Sequence, residues 1–243
     1  MNGFRFKQFT VEHDKCSMQV NTDAVLLGAW AAIPAVSTPI RVLDIGTGSG
    51  VIALMMAQRI QEIHCSFEVT AIDIDAASVA QAAENFHQSV WSERMEVRCQ
   101  SLQDLATTAS RYDCIVSNPP YFVHSLKNPN PTRMAARHTD SLSYEELMAS
   151  SARLLNAEGL FSLILPAEAE DEIVRLGAEN GLTPMHITHV YSKPQRPRKR
   201  LLITLQKRHT GHSPMCRTQT FYIALENSSR SPEYEALTTA FYL

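Results

Sequence analysis

Short, continuous apolar runs alternate along this chain with longer stretches in which apolar residues recur every three or four positions. A short apolar run between turn signals is typical of a buried strand, and the longer spacing is typical of a helix packed on a core. The predicted strands cover residues 41–45, 67–74, 95–99, 114–117 and 160–165, and the predicted helices cover 51–60, 76–88, 147–155 and 167–180. Strands that alternate with helices predict an α/β fold with a parallel, doubly wound sheet.

The two ends of the chain extend this pattern. Residues 4–20 alternate loosely and predict an N-terminal extension with short strand pieces. Asn21-Thr22-Asp23 places capping side chains ahead of a predicted helix over 24–33. Further strands are predicted at 185–191 and 201–207, and a last helix is predicted to begin at Ser231-Pro232.

Polar groups stand at the ends of three predicted strands. Asp44 precedes a glycine turn, Asp73 ends the next strand, and Asn118 follows a third. Because ligands of a doubly wound sheet bind at the carboxyl ends of its strands, we expect these three residues to share one site.

The turn Ser117-Asn118-Pro119-Pro120-Tyr121-Phe122 is unusually stiff. Its two prolines fix two φ angles and remove two backbone donors, and the residue before a proline is held in an extended conformation. The turn therefore presents one amide side chain, bare carbonyls and an aromatic ring. A proline-stiffened loop with a packed tyrosine is the alternative interpretation.

The glycine turn indicates which cofactor fits. Gly46-x-Gly48-x-Gly50 lacks the spacing of the dinucleotide fingerprint, and Asp44 beside it would repel a pyrophosphate. A carboxylate there suits S-adenosylmethionine, which carries an ammonium and a sulfonium and no phosphate. Asp73 is placed to hold a ribose diol; a strand-end carboxylate or helix cap is the alternative, although Asp75 fits a cap better.

Composition adds few constraints. The chain has 243 residues, a net charge of −3 and five cysteines without metal-site spacing, which are typical of reduced thiols. It has neither a secretory apolar segment at its start nor a run of about 18 apolar residues. We therefore expect a cytoplasmic protein with no bound metal and no membrane association, and a monomer is favoured over an oligomer.

The positive charge is concentrated late in the chain. Residues 180–225 contain eight lysines and arginines and no acidic residue. Such an uneven distribution indicates a polyanionic partner, and phosphate neutralisation would supply affinity without sequence choice. The loop Lys193–Arg200, with Arg198, Lys199 and Arg200 at its end, is the candidate RNA contact, and its prolines predict that it projects from the body. A solvated basic loop is the alternative.

Two of these motifs carry a family resemblance. Val42–Gly50 together with Asn118-Pro119-Pro120-Tyr121 is similar to the class I S-adenosylmethionine-dependent methyltransferases that act on planar amino or amide nitrogens. Further segments resemble the bacterial tRNA1(Val) (adenine-N6)-methyltransferases, namely 6–9, 21–30, 136–138 and 234–243. The resemblance covers nearly the whole chain, with 180–230 loosely matched.

The resemblance implies a fold and a set of cofactor contacts. The fold is a Rossmann-like sheet of seven mostly parallel strands, with helices on both faces and an antiparallel last strand. The chain would be one methyltransferase domain over 1–243, with an N-terminal extension and first helix over 1–34 and a catalytic core over 40–243. The implied cofactor contacts are Asp44, Gly46, Gly48 and Gly50 to the methionine part, Asp73 to the ribose, Ser101 or its backbone to the adenine, and Thr22 and Asp23 above the cofactor. Asn118 is also an implied cofactor contact. A helix cap is the alternative role for 21–23.

The chemistry follows from the stiff turn. The Asn118 side-chain carbonyl and the Pro119 main-chain carbonyl would each accept one N–H of an exocyclic amine, which directs the nitrogen lone pair towards the cofactor methyl. Tyr121 would stack on the base, and Phe122 would assist or pack. By resemblance, the reaction transfers a methyl group from S-adenosylmethionine to N6 of the adenine 3′ to the anticodon of tRNA1(Val), leaving S-adenosylhomocysteine.

Other functions remain open at the level of sequence. An Asn-Pro-Pro-Tyr turn also suits protein-glutamine N5, rRNA guanine N2 and DNA adenine methylation. The basic segment favours RNA, and no separate target-recognition domain for DNA is evident. A non-catalytic RNA-binding protein with a relict cofactor fold is a further alternative, which the intact Asp44, Asp73 and Asn118 disfavour.

Overall fold

A computed structural model describes residues 3–16, 18–35, 39–63, 66–120, 142–207 and 215–243. The strands are β1 Phe4–Arg5, β2 Thr10–Val11, β3 Ile40–Ile45, β4 Phe67–Asp73, β5 Met95–Cys99, β6 Tyr112–Ser117, β7 Leu155–Pro166, β8 Leu182–Tyr191, β9 Arg198–Lys207 and β10 Arg217–Tyr222. The helices are α1 Thr22–Trp30, α2 Val51–Glu62, α3 Ala76–His87, α4 Leu102–Leu105, α5 Tyr144–Leu154, α6 Glu170–Glu179 and α7 Pro232–Thr238. Short 3-10 turns cover Ser92–Arg94 and Ala167–Ala169.

The central sheet has the order β10-β8-β9-β7-β6-β3-β4-β5, and β1 and β2 form a separate small hairpin. Among the described strands of this sheet, only β9 runs antiparallel to its neighbours, β7 and β8. The mostly parallel, doubly wound sheet is thus confirmed, but the described sheet has eight strands where seven were expected. The additional strand, β10, lies parallel to β8, so the antiparallel strand is not the last in the chain. Sequence reasoning missed β10 because its residues are mainly polar and exposed, as at a sheet edge.

Two apolar layers cover the two faces of this sheet. One layer combines α1 and α2 with the N-terminal hairpin and the end of the chain, and it buries Phe6, Met55 and Phe241. The other layer lies beneath α4, α5 and α6 and buries Leu147 and Ile173. Each such side chain contributes roughly 1.5–3 kcal/mol relative to exposure, so the sheet is held firmly from both sides.

The helix starts follow local sequence signals. The side chains of the N-cap residues accept hydrogen bonds from the first turns, as expected for capping residues. These N-caps are Asn21 for α1, Asp75 for α3, Ser143 for α5 and Ser231 for α7. In α5 the predicted capping box is complete, since Glu146 also accepts from the backbone of Ser143. The described helices include none long and apolar enough to cross a lipid bilayer.

Candidate active site

The strand register brings the three predicted site segments together. Ile45 at the end of β3 pairs with Ile72 on one side and with Ser117 on the other. The residues that follow, Gly46, Asp73 and Asn118, therefore leave the sheet side by side at its carboxyl edge. Adjacent strands lie about 4.8 Å apart, so the three segments form one continuous rim.

The glycine turn after β3 is open where the prediction places a ligand. Gly46 and Gly48 have φ values of +68° and +53°, and a Cβ atom on either would meet no described residue within 4 Å. Gly50 differs, because its Cβ would lie 2.5 Å from Cε1 of Phe86 on α3. Gly46 and Gly48 thus border space that the described residues leave open, whereas the absence of a side chain at Gly50 serves the packing of α2 against α3.

Asp73 is fixed by two backbone amides. Its Oδ2 accepts from Gly48 N at 2.9 Å, and its Oδ1 accepts from Asp75 N at 3.0 Å. A carboxylate oxygen has two lone pairs, so each oxygen retains capacity for a ligand hydroxyl. Asp75 caps α3, as the sequence indicated, and this leaves Asp73 for the ribose assignment.

Asp44 is fully buried beneath the glycine turn. Its Oδ2 accepts from the Thr47 hydroxyl at 2.7 Å, while its Oδ1 is buried without a hydrogen-bond partner among the described residues. Burial raises the pKa of Asp44 from 3.8 to about 7, against the opposing effects of Thr47 and the Ala53 amide. A buried acceptor of this kind needs a further donor, and a cationic donor would favour its ionised form.

These observations satisfy a test for S-adenosylmethionine. The unpartnered oxygen of Asp44 suits the cofactor's ammonium, directly or through one water molecule. The open space beside Gly46 and Gly48 suits a ligand that approaches the backbone closely, and the two oriented oxygens of Asp73 suit a ribose diol. None of these groups requires a phosphate on the ligand.

Ser101 is already engaged within the protein. Its hydroxyl donates to Asp104 Oδ2 at 2.7 Å and accepts from Asp104 N at 3.1 Å, which caps α4. A contact from this hydroxyl to the cofactor adenine would have to open that cap. The structure therefore favours the backbone alternative. Asp104, which the sequence did not assign to the site, is the carboxylate next to it.

The stiff turn leaves the sheet where the register predicts. The Ser117 hydroxyl donates to Ile45 O at 2.9 Å and ties the end of β6 to β3. Asn118 is half-buried, Pro119 is buried and Pro120 is exposed. The predicted stacking residues Tyr121 and Phe122 lie outside the described residues, as does the segment 136–138.

An ion pair that the sequence did not predict holds the start of α1 at the carboxyl edge of the sheet. Arg200 pairs with Pro166 at the carboxyl end of β7, and its Nε donates to Asp23 Oδ2 at 2.8 Å. Asp23 was expected to contact the cofactor and Arg200 to contact RNA, but the structure makes them partners of each other. Asn21 caps α1, and Thr22 is its first residue.

The basic loop is more firmly held than its prolines predicted. It forms the turn between β8 and β9. The side chain of Lys193 donates a hydrogen bond to Ser228, and that of Gln195 donates one to Glu226. The prediction was that this loop projects from the body; the structure adds that side chains of a neighbouring loop hold it.

The three cations at the end of this loop have different surroundings. Arg198 donates to Glu170 and to Ala167 O, and Arg200 pairs with Asp23. Burial alone would raise the pKa of Glu170, but hydrogen bonds from His189 and Arg198 lower it. Lys199 is exposed.

Comparisons with known proteins agree with this geometry. Residues 30–175 match the methyltransferase small domain family. A predicted O-methyltransferase from Agrobacterium tumefaciens superposes with a TM-score of 0.65 at 18% identity, covering 90% of this chain and 96% of the other. The fold and its strand-end site define a class I, Rossmann-like S-adenosylmethionine-dependent methyltransferase.

Full-length relatives narrow the class. A tRNA1(Val) (adenine(37)-N6)-methyltransferase from Bacteroides fragilis is 45% identical over 242 residues, which cover 99% of this chain and 97% of the relative. A protein of the same name from Phocaeicola vulgatus is 44% identical over 240 residues, with coverage of 99% and 97%. The chain belongs to the tRNA1(Val) (adenine(37)-N6)-methyltransferase family.

Proposed function

We propose that this protein methylates N6 of adenine 37, the base 3′ to the anticodon, in tRNA1(Val). S-adenosylmethionine is the methyl donor and S-adenosylhomocysteine the product. The observation that carries the proposal is the register that places Gly46, Asp73 and Asn118 side by side, in a chain whose full length matches relatives of that activity.

The cofactor side of the site is built from Asp44, the glycine turn and Asp73. When bound, S-adenosylmethionine supplies a methyl group made electrophilic by its sulfonium. Asp44 would hold the ammonium, and the hydrogen bond from Thr47 keeps its carboxylate oriented. Asp73 would hold the ribose, and the hydrogen bond from Gly48 N couples this carboxylate to the turn that borders the methionine part.

The substrate side is the turn after β6. The Asn118 side-chain oxygen and the Pro119 carbonyl accept the two N–H groups of the adenine amine, and this arrangement directs the nitrogen lone pair away from the ring. Positioning supplies most of the rate, since holding two reactants in line is worth about 7–11 kcal/mol in favourable cases. The methylated nitrogen is strongly acidic, so its proton passes to water without a dedicated base.

The target base has to leave its stack before it reaches Asn118. This costs least in a single-stranded loop such as that of the anticodon. Tyr121 would stack on the extruded base, and Phe122 would assist or pack. The protein would act in the cytoplasm as a monomer of one methyltransferase domain, without a metal, because the proposed chemistry needs none.

Methylation of an unmodified tRNA1(Val) transcript tests the proposal. We expect transfer of labelled methyl to this transcript, with N6-methyladenosine found by nucleoside mass spectrometry. A transcript with guanine at position 37 is the matched control and should take up no label. Label in a protein substrate, or N2-methylguanosine in rRNA, with none in tRNA would contradict the proposal.

The Asn118→Ala variant tests the role of the turn. We expect kcat to fall at least 100-fold, as when a single donor of a preorganised site is removed. The dissociation constant for S-adenosylhomocysteine should stay near that of the wild type, because Asn118 is assigned to the amine. Turnover near the wild-type value would remove Asn118 from the reaction.

A further inference from the structure

An irregularity at the start of β9 separates the arginines that the sequence groups together. Val190 on β8 pairs with Arg200, but the next residue, Tyr191, pairs with Arg198. One residue of β8 therefore faces two of β9, and Lys199 is the extra residue of a β-bulge. Bulges often lie beside active sites, where they redirect side chains.

The bulge sends two arginines to opposite faces of the sheet. In a regular strand, residues two apart point to the same face. Here Arg200 reaches Asp23 on α1, which packs on one face, and Arg198 reaches Glu170 on α6, which packs on the other.

Both ion pairs are built as supports. The side chains of Arg200 and Asp23 are each 20% exposed, and those of Arg198 and Glu170 are 29% and 22% exposed. Arg198 also donates to Ala167 O at 2.8 Å, directly after the end of β7. Glu170 additionally pairs with His189 Nε2 at 3.1 Å. Cations held in this way are poorly placed to meet a phosphate.

The cations that face solvent lie next to these pairs. Lys199, at the bulge, and Arg196, in the turn, are both exposed, and neither forms an ion pair with a carboxylate in the part of the chain that the structure describes. Both lie at the carboxyl edge of the sheet, where β8 ends and where the rim of Gly46, Asp73 and Asn118 is found.

We propose that Arg198 and Arg200 are positioning residues, and that Lys199 and Arg196 are the contacts to tRNA phosphates. The two arginines clamp the starts of α1 and α6 to the edge that holds the cofactor, while Lys199 at the bulge and Arg196 in the preceding turn stay exposed to solvent. This inference rests on the proposed function, because it assigns the tRNA-binding groups of the same site.

Salt dependence of tRNA binding separates the two roles. Binding of unmodified tRNA1(Val) is measured by fluorescence anisotropy between 50 and 200 mM salt for the wild type and single alanine variants. The logarithm of the association constant falls as the logarithm of the salt concentration rises. Lys199→Ala and Arg196→Ala should each make this slope shallower by about 0.7–0.9, as expected for one lost phosphate contact. Arg217→Ala is the matched control, since this exposed arginine pairs with His186 in the middle of β8, five residues before that strand ends at Tyr191.

The clamp is tested on the cofactor side by a double-mutant cycle. Arg200→Ala and Asp23→Asn should each raise the dissociation constant for S-adenosylhomocysteine several-fold, and the double variant should be no worse than either. Arg200→Lys, which keeps the charge and is more conservative for folding, should restore most of the affinity without altering the salt slope. Additive effects of Arg200→Ala and Asp23→Asn on cofactor affinity would overturn the role of Arg200 as a positioning residue. A shallower salt dependence of tRNA binding in Arg200→Ala, with unchanged cofactor affinity, would overturn it as well.

Failure of the proposed function would look different. If the wild type neither binds nor methylates tRNA1(Val), the substrate assignment and the phosphate contacts fail together. The cycle between Asp23 and Arg200 needs no tRNA, so coupled effects there would still identify the clamp.

Discussion

Replacing Asp44 by asparagine should stabilise the cofactor-free protein while it weakens cofactor binding. The substitution keeps the shape of the side chain and removes a charge that is fully buried. The Thr47 hydroxyl can still donate to the asparagine carbonyl, so the local geometry is preserved. What changes is the cost of holding an ionised group beneath the glycine turn, where Oδ1 lacks a hydrogen-bond partner among the described residues.

The size of this cost follows from the pKa of Asp44. Burial raises the pKa from 3.8 to about 7, and each pH unit corresponds to about 1.36 kcal/mol. The unfolded chain therefore loses this proton first, and stability falls as the pH rises from about 4 to about 7. The penalty is roughly 2 kcal/mol at pH 5 and roughly 4 kcal/mol at pH 8. Asparagine does not titrate and avoids it.

Urea unfolding without cofactor at these two pH values measures the effect. The free energy of unfolding of Asp44→Asn, minus that of the wild type, should increase by roughly 2–3 kcal/mol from pH 5 to pH 8. This pH-dependent part is insensitive to small packing changes, since those contribute equally at both values. A difference that is the same at pH 5 and pH 8 would refute the reasoning, because it would mean that folding does not shift the pKa of Asp44.

Three further predictions concern the same edge of the sheet. The dissociation constant for S-adenosylhomocysteine should rise up to tenfold for each pH unit below about 7, because the ammonium of this ligand requires an ionised Asp44. Calorimetry should show no such rise for 5′-methylthioadenosine, which lacks the amino acid. Equal pH dependence of the two ligands would exclude a contact between Asp44 and the ammonium. Gly50→Ala should lower the free energy of unfolding by about 1–3 kcal/mol, because φ is +81° and the new Cβ would meet Phe86. Gly181→Ala shares a positive φ but meets no described residue within 4 Å, so it should cost less. Urea titrations that rank the two variants the other way would argue against the packing role of Gly50. Ser101→Ala should cost about 1 kcal/mol of stability through loss of the α4 cap and leave cofactor affinity unchanged. A large rise in the cofactor dissociation constant would instead indicate that the Ser101 hydroxyl contacts the adenine.

The features that sequence could predict are those with local causes. Asp75 and Ser143 cap their helices through atoms two or three residues away, and such signals are readable without a fold. The meeting of Asp73 and Asn118 was also predictable, because parallel strands end at one edge.

The features that escaped prediction depend on long-range register. Asp23 and Arg200 are separated by 177 positions, and no local pattern reports their ion pair. The partner of Arg198 depends on the bulge at Lys199, since without it the side chain would point to the other face. The basic run in the sequence thus contains two arginines that form ion pairs within the protein. Their surroundings differ because of the strand pairing, which the sequence alone does not reveal.

The eighth strand changes what the sheet presents to other protein molecules. Without β10, the ten-residue β8 would be an open edge, and a long edge with unpaired amides and carbonyls invites pairing with a second chain. β10 replaces that border with a shorter, six-residue strand on which Arg217 and Thr218 are exposed. On the opposite border, the five-residue β5 carries the partly exposed charges of Glu96 and Arg98. Short strands with charged side chains thus protect both borders of the described sheet from pairing with another chain.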